Sequence, residues 1–385
     1  MAGQNPPTQP DDFIATAAAH IAGRAERELE ALVAVSSPSG DVHGAEEALA
    51  VCAALLPEAA EVERLPCSTP GSAPDLVARV RGTGTGSLLL LGHVDTVVAH
   101  QAHLPLRRDG ERLYGPGTAD MKGGVVLALG LMRVLAEDPE GFSELAILLV
   151  TDEEWRTRPF RHVSALRAFD ACLCFEAGER GPGGEEGVVV KRKAAGTLRA
   201  DATGRPSHSG SAPDQGANAL LALAQVAGRL AEHHAPSGPD RLSVVPTVLR
   251  SGQAFNVVPA QGELIFDLRA DRVAAFDEVM EAVPEAVGEV RIEAVMERVW
   301  PGMDTRRATE ELLRSASSQL GRPVVGVARG GASDASHLSS EIPLTVDGLG
   351  PRGGGAHTPD EFVLAVSLRE RAEVALAVAR AALTA

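Results

Sequence analysis

The chain has 385 residues, 44% of them hydrophobic, and a mean hydropathy of +0.01; it reads as a globular protein too long for one small core, so two domains or one interrupted domain are expected. Its 36 basic and 52 acidic residues give a net charge of −16, which argues against nucleic acid or an anionic membrane surface as partner. Aromatic residues are only 3% of the chain, which leaves Leu, Val and Ala to fill the core.

The first ten residues form a polar, Pro-rich tail expected to be disordered. The start has neither a basic n-region nor an apolar h-region, and no apolar run reaches membrane length. The cysteines Cys52, Cys67, Cys172 and Cys174 show no CxxC pair and read as buried thiols of a cytoplasmic protein. Amphipathic spacing predicts a helix over 11–35 with Asp11 or Asp12 as its cap, and a second over 45–56. Strands follow at 75–80 and 87–91, the latter running into GHVDT. Within LYGPGTADMKGGVV a Gly/Pro turn leads into a helix from about Met121, with Asp120 placed as a simple N-cap or as something more.

The organising stretch is the apolar run 145–150, long enough for a strand buried on both faces, which ends in Thr151-Asp152-Glu153-Glu154. Carboxylates just beyond such a strand are either solvated acids or, at the C-terminal edge of an open α/β sheet, part of a ligand site. Another strand, 171–175, ends in Glu176. With His93 and Asp95 two apart on extended chain, three strand ends carry acids or histidine.

Composition changes after the Gly-rich loop 182–187. A strand and turn in TLRADATGRPSHSG, a helix at 216–233, strands at 242–249 and 263–269, a helix at 274–287 and a strand at 290–299 are predicted, the order of a ferredoxin-like unit. The pattern then resumes with a helix at 308–320, a strand at 324–327, the loop RGGASDASHLS, a strand in IPLTVDGLG, the Gly-rich loop bearing His357, and a closing helix at 364–383. The expected architecture is α/β: a catalytic domain (11–193 and 301–385) with a central mixed, mostly parallel sheet flanked by helices, interrupted by a ferredoxin-like α+β insertion (194–300). No internal repeat is visible.

His93, Asp120, Glu153, Glu154, Glu176 and His357 all fall at strand ends, helix starts or Gly-rich loops. One bridging carboxylate, with one histidine and one terminal carboxylate for each of two ions, would make a two-metal hydrolase site that leaves one acid as general base. Mixed N and O ligands suit Zn²⁺, with Co²⁺ or Mn²⁺ as alternatives.

In this order GHVDT, GTADMKGG, TDEEW, FEAG, GRPSHSG, GGASDAS and GPRGGGAHTPDE resemble the zinc metallopeptidases related to glutamate carboxypeptidase, a family that also holds aminoacylase, acetylornithine deacetylase and succinyl-diaminopimelate desuccinylase. The resemblance implies two Zn²⁺ per subunit, bridged by Asp120. His93 and Glu176 would complete one site, Glu154 and His357 the other, with Asp95 orienting His93. Glu153 would be the base that activates a metal-bridging water and protonates the leaving amine. The insertion would be a lid and homodimerisation domain, from which His208 reaches an active site, often the partner's, to stabilise the oxyanion. Asn256 and Arg269, with Lys193 and Gly354, match positions that hold the substrate, an N-acyl amino acid or short peptide.

The chain departs from its relatives in WRTRPFRH after Glu154, where small residues are usual, and in Ala194, where glycine is frequent. Arg156 or Arg158 would select an acidic side chain if the segment borders the pocket, and would be surface residues if it does not. The expectation is a dizinc amide hydrolase most like glutamate carboxypeptidase. The alternatives are a deacylase of a biosynthetic intermediate such as N-acetylornithine or N-succinyl-diaminopimelate, and a metal-binding dimer without turnover.

Overall fold

Strands Ser87–His93, Glu144–Val150 and Ala171–Cys174 are almost wholly apolar and buried along their length, and they lie side by side in parallel. They form the centre of a six-stranded sheet completed by Leu344–Val346, also parallel, on one side. On the other side Asp75–Arg81 and the edge strand Glu61–Leu65 run antiparallel. The sheet is mixed and mostly parallel, and the fold is α/β. Glu61–Leu65 is a strand that hydrophobic pattern does not reveal, because as an edge it is charged and exposed.

The computed structural model describes residues 11–156 and 158–384; the N-terminal tail 1–10 lies outside the described residues. The chain divides into two compact units. The first comprises the described residues of Met1–Lys191, Asp304–Ala328 and Ser333–Ala385. Its core is built from Leu, Val and Ala, as the scarcity of aromatics requires, with Phe142 and Phe175 among the few buried rings. Helices Asp12–Val33, Gly123–Ala136 and Ala365–Leu383 pack on one another, and the last two also pack on the sheet. Asp11 caps the first, accepting from the Phe13 N–H at 2.9 Å. Helix Gly123–Ala136 lies so close to the sheet edge that a Cβ on Gly124 would stand 1.8 Å from the Phe175 carbonyl oxygen. Only glycine fits there.

The second unit, Arg192–Met303 with Arg329–Ala332, has its own apolar core. Strands Ala194–Thr203, Ser243–Ser251, Gln261–Ala270 and Val290–Trp300 form one antiparallel sheet, with Ala194–Thr203 between Gln261–Ala270 and Val290–Trp300 and with Ser243–Ser251 at an edge. Leu198, Ala200, Leu264, Phe266 and Leu268 alternate toward helices Ala219–Ala231 and Ala275–Glu281. Arg199, Asp201, Glu263 and Glu297 pair on the other face.

Two helix expectations are corrected. The helix predicted over 274–287 stops at Glu281, because Pro284 cannot supply the backbone N–H that continuation needs; a short strand, Ala286–Val287, follows. The helix predicted from Met121 starts at Gly123, after a π-helical turn, Thr118–Lys122, in which Asp120 (φ −131°, ψ 91°) is not helical. Among the described residues no helix is long and apolar enough to cross a membrane. All four cysteines are buried, and none is in a disulfide.

Candidate metal centre and active site

Parallel register brings three strand ends to one edge of the sheet. His93 pairs with Val150, so the turn 151–154 emerges beside it, and Leu91 pairs with Cys174, which carries Glu176 to its other side. This is the edge at which open α/β sheets bind ligands. Asp120 enters from the turn before helix Gly123–Ala136, and His357 from the Gly-rich loop.

His93 Nε2 faces Asp120 Oδ1 at 3.1 Å, and His357 Nε2 faces Asp120 Oδ2 at 3.2 Å. His357 Nε2 also lies 3.1 Å from the Glu154 carboxylate, and His93 Nε2 lies 3.8 Å from Glu176 Oε1. The two oxygens of Asp120 thus serve two imidazoles, each with one further carboxylate. On its other side His93 Nδ1 stands 3.0 Å from the Asp95 carbonyl oxygen and 3.4 Å from Oδ1, positions that accept its proton. With that proton donated, Nε2 is the nitrogen left to share either a proton or a metal ion with the carboxylate oxygens it faces.

The Asp95 carboxylate does more than face His93. It accepts from the Ser39 hydroxyl at 2.6 Å and from the backbone N–H groups of Glu153 and Glu154 at 3.1 and 3.2 Å. The Asp120 turn is held by Glu361, whose carboxylate accepts from the N–H groups of Gly117, Ala119 and Asp120 at 2.8–2.9 Å. Lys122 is wholly buried and donates to the Val35 carbonyl oxygen at 2.7 Å; burial brings its ammonium down to about 8. Ser39, Lys122 and Glu361 escape sequence reading because their residue types are ordinary. Only their neighbours across the fold show what they hold.

Charge balance tests whether these residues suit metal. Asp95, Asp120, Glu153, Glu154 and Glu176 crowd one largely buried place with two imidazoles. Burial pushes the Glu153 carboxyl well above its usual range, and the carboxylates of Asp334, Glu176 and Glu154 push the same way. Burial also raises Glu154, against the pull of His357. Asp120 and Glu154 push the His357 imidazole up to about 10. Burial opposes charging His93, but Asp120 and Asp95 overcome it and hold it well above its usual value. Asp120 is favoured as carboxylate by His357 and His93, despite its burial. So much negative charge taken out of water calls for cations. His93, Asp120 and Glu154 each bring a ligand atom within 4.8 Å of the others, and N and O donors of this mix fit divalent transition metal.

Of the other expected site residues, one belongs to the first unit and four to the second. Gly354 is in the first unit, in the ladder Gly353–Gly354 with Phe362–Leu364; the next residue, Gly355, has φ +70° and starts the turn into His357 (φ +65°). His208, Asn256, Arg269 and Lys193 are all in the second unit. His208 is exposed, and its Nδ1 accepts from the N–H groups of Gly210 and Ser211, both at 3.1 Å, which leaves Nε2 as the protonated donor. Asn256 is exposed beside it, with its carbonyl accepting from Ser209 N–H at 3.0 Å. Asp267 takes the Nε–Nη2 edge of Arg269, and Lys193 Nζ donates to the Arg241 carbonyl oxygen at 2.6 Å.

Arg156 requires a correction. It is neither a surface residue nor a selector reaching for substrate: it is 1% exposed and clasped by the carboxylates of Asp152 and Asp334. Arg158 is exposed.

Residues 89–381 match the model of peptidase family M20/M25/M40. Carboxypeptidase G2 of Pseudomonas sp. (strain RS-16) is 27% identical over 354 residues, 86% of this chain and 82% of that protein. A succinyl-diaminopimelate desuccinylase of Halorhodospira halophila is 27% identical over 321 residues, 75% of this chain and 81% of that protein. Among solved structures, a tripeptidase from Staphylococcus aureus superposes with a TM-score of 0.76 at 19% identity, over 94% of this chain and 99% of that one.

Proposed function

This chain belongs to peptidase family M20/M25/M40, and from that premise we propose that it hydrolyses, with two bound Zn²⁺, an amide bond whose leaving part bears a free α-carboxylate. That it is a hydrolase of amide bonds follows from the family; the metal, the residue roles and the substrate are our reading. The observation that carries it is Asp120, whose two oxygens stand 3.1 and 3.2 Å from the Nε2 atoms of His93 and His357. Asp120 would bridge, with His93 and Glu176 on one ion and His357 and Glu154 on the other. Co²⁺ and Mn²⁺ suit the same donors. Such ions supply Lewis acidity at the carbonyl and lower the pKa of water.

The protein's own groups account for the rest. Glu153, held by the Asp95 carboxylate through its backbone N–H, takes a proton from the attacking water and delivers it to the leaving nitrogen. Asp95 orients His93 and the Glu153–Glu154 turn together. His208, with Nε2 as donor, is suited to the oxyanion, supplied within a chain or by a second subunit. Arg269 and Asn256, with Lys193 and Gly354, are assigned to the substrate's carboxylate end. The four buried cysteines, none of them in a disulfide, accord with a cytoplasmic location.

Similarity to carboxypeptidase G2 over 86% of the chain supports the carboxypeptidase reading, and the likeness of GLGPRGGGAHTPDE to the glutamate carboxypeptidases favours a C-terminal glutamate or N-acyl-glutamate substrate. A second reading, removal of an acyl group from a biosynthetic intermediate such as N-succinyl-diaminopimelate or N-acetylornithine, is supported by the desuccinylase relative. Metal-stripped and Zn²⁺-restored protein, offered a panel of N-acyl amino acids and dipeptides, distinguishes them. Zinc-dependent release of glutamate is expected, release of another amine would move the substrate, and silence with two metals bound would leave either a specialised substrate or the dimeric binding protein. In the same assay Glu153→Ala is expected to keep both metals and to lose about 10²–10⁴-fold in turnover. Unchanged turnover would remove Glu153 from the mechanism.

A further inference from the structure

The two imidazoles of the centre are held in unequal ways. His93 ends a buried strand, is 1% exposed, and has Asp95 against its Nδ1. His357 stands on a turn at φ +65° with its side chain 51% exposed. What fixes its loop comes four residues later. Glu361 is buried; its N–H donates to the Thr358 carbonyl oxygen at 3.2 Å, and its own carbonyl oxygen accepts from Gly115 N–H at 3.1 Å. The strand that follows it, Phe362–Leu364, is paired with Arg112–Tyr114.

The side chain reaches the other way. Glu361 Oε2 accepts from Gly117 N–H at 2.9 Å, and Oε1 accepts from the N–H groups of Ala119 and Asp120 at 2.8 and 2.9 Å. These donors converge because the turn departs from helical geometry, with Gly117 at φ +75° and Asp120 at φ −131°. A concave set of N–H groups of this kind takes an anion, and here the anion is a side chain of the protein itself. Both oxygens are used, so length and shape matter as well as charge. One carboxylate therefore joins the loop that carries one imidazole to the turn that carries the carboxylate facing it.

We propose that Glu361 is a positioning residue for metal: it sets the spacing of Asp120 to His357, and with it the affinity of the ion that His357 and Glu154 would hold. It acts through the Asp120 turn and the His357 loop and is not itself a ligand. The inference rests on the two-metal reading above and gives that site a determinant outside its ligand set.

Two substitutions separate reach from charge. Glu361→Gln keeps the length but leaves one oxygen, and its amide N–H₂ would face a backbone donor. Glu361→Asp keeps the charge but is one methylene short. Metal-free wild type and variants are titrated with Zn²⁺ against a chromophoric chelator, and their thermal unfolding is followed with and without the ion. The wild type is expected to bind two ions. Both variants are expected to bind the second ion about tenfold or more weakly than the wild type, with a smaller change for the first, as loss of a group that orients metal ligands does. Zn²⁺ should also raise their thermal midpoints less than it raises that of the wild type. A variant that is less stable without metal, yet binds both ions as the wild type does once folded, would overturn the proposal and leave Glu361 a structural residue. Failure of both variants to fold without metal, where the wild type folds, would do the same. Loss confined to Glu361→Gln would also overturn it, because charge alone would then suffice. A wild type that takes up no ion would overturn the metal reading, and the proposal with it.

Discussion

Arg156 holds a full charge where water does not reach. Its Nε and Nη2 donate to Asp152 Oδ1 at 3.0 and 2.8 Å, Asp334 accepts on its other edge, and Phe160 lies 4.7 Å beneath the guanidinium. Asp152 immediately precedes Glu153, so the clasp fixes the acidic turn to a segment 178 positions away. Removing the arginine leaves two buried carboxylates facing each other. Arg156→Met is therefore expected to destabilise the protein by about 3–5 kcal/mol. Arg156→Lys should recover only part of that, because one ammonium cannot grip both carboxylates as a planar fork does. Arg158→Ala, at an exposed position, should change little; equal thermal midpoints for Arg156→Met and Arg158→Ala would refute the clasp. In the sequence this arginine directly follows Glu153, Glu154 and Trp155, but what faces it comes from far along the chain as well.

Elements matter here mainly through where they end. The strands Ser87–His93, Glu144–Val150 and Ala171–Cys174 are ordinary buried strands; their parallel register is what gathers His93, Glu153, Glu154 and Glu176. Behind them strand Glu186–Arg192 and helix Ala365–Leu383 are joined by a buried charge cluster. Glu186 accepts from Arg352 at 2.6 Å and from Arg371 at 3.1 Å, with Arg322 at 3.5 Å. Burial would raise the Glu186 carboxyl, but Arg371, Arg352 and Arg322 outweigh it and hold it below its ordinary 4.5. A carboxyl lowered on folding contributes stability that is complete above its unfolded value and is lost as pH falls through the folded one. Glu186→Gln is expected to cost on the order of 3 kcal/mol at neutral pH. Below about pH 4.5 the gap to the wild type should shrink, because there the wild type loses the same contribution. Denaturant titrations from pH 3 to pH 7 measure it, and a gap that stays constant would show that Glu186 is not the group.

At the scale of the whole molecule, the two units have separate cores and carry different parts of the proposed chemistry. The second unit presents apolar surface: Val245 and Leu249, on the edge strand Ser243–Ser251, are each 41% exposed, and Leu221, on helix Ala219–Ala231, is 60% exposed. We propose that two chains meet there to form a homodimer, as an open edge strand beside exposed leucines invites. Leu221→Asp with Leu249→Asp is expected to give a monomeric mass by light scattering. If His208 acts on the partner's site, the same double variant should lose turnover with its metal content intact, as His208→Ala should. A monomeric wild type with full activity would contradict the dimer and the trans histidine together.

Much of this protein is determined locally and could be read from residues alone. Alternating and continuous apolar runs specify the strands, Asp11 starts the first helix as its cap, and the ordered motifs from GHVDT to GPRGGGAHTPDE identify the family and the residue types its chemistry needs. What depends on distant neighbours could not be read there. By spacing alone Asp120 could be a simple N-cap, and only the resemblance made it a bridging ligand; that its oxygens stand between His93 and His357, and that Glu361 holds its turn across 241 positions, is seen only in the fold. Arg156 and the charged edge strand Glu61–Leu65 belong to the same class. The reason is physical: backbone period and capping depend on the nearest few residues, whereas hydrogen-bond partners and charge balance exist only once distant segments have packed.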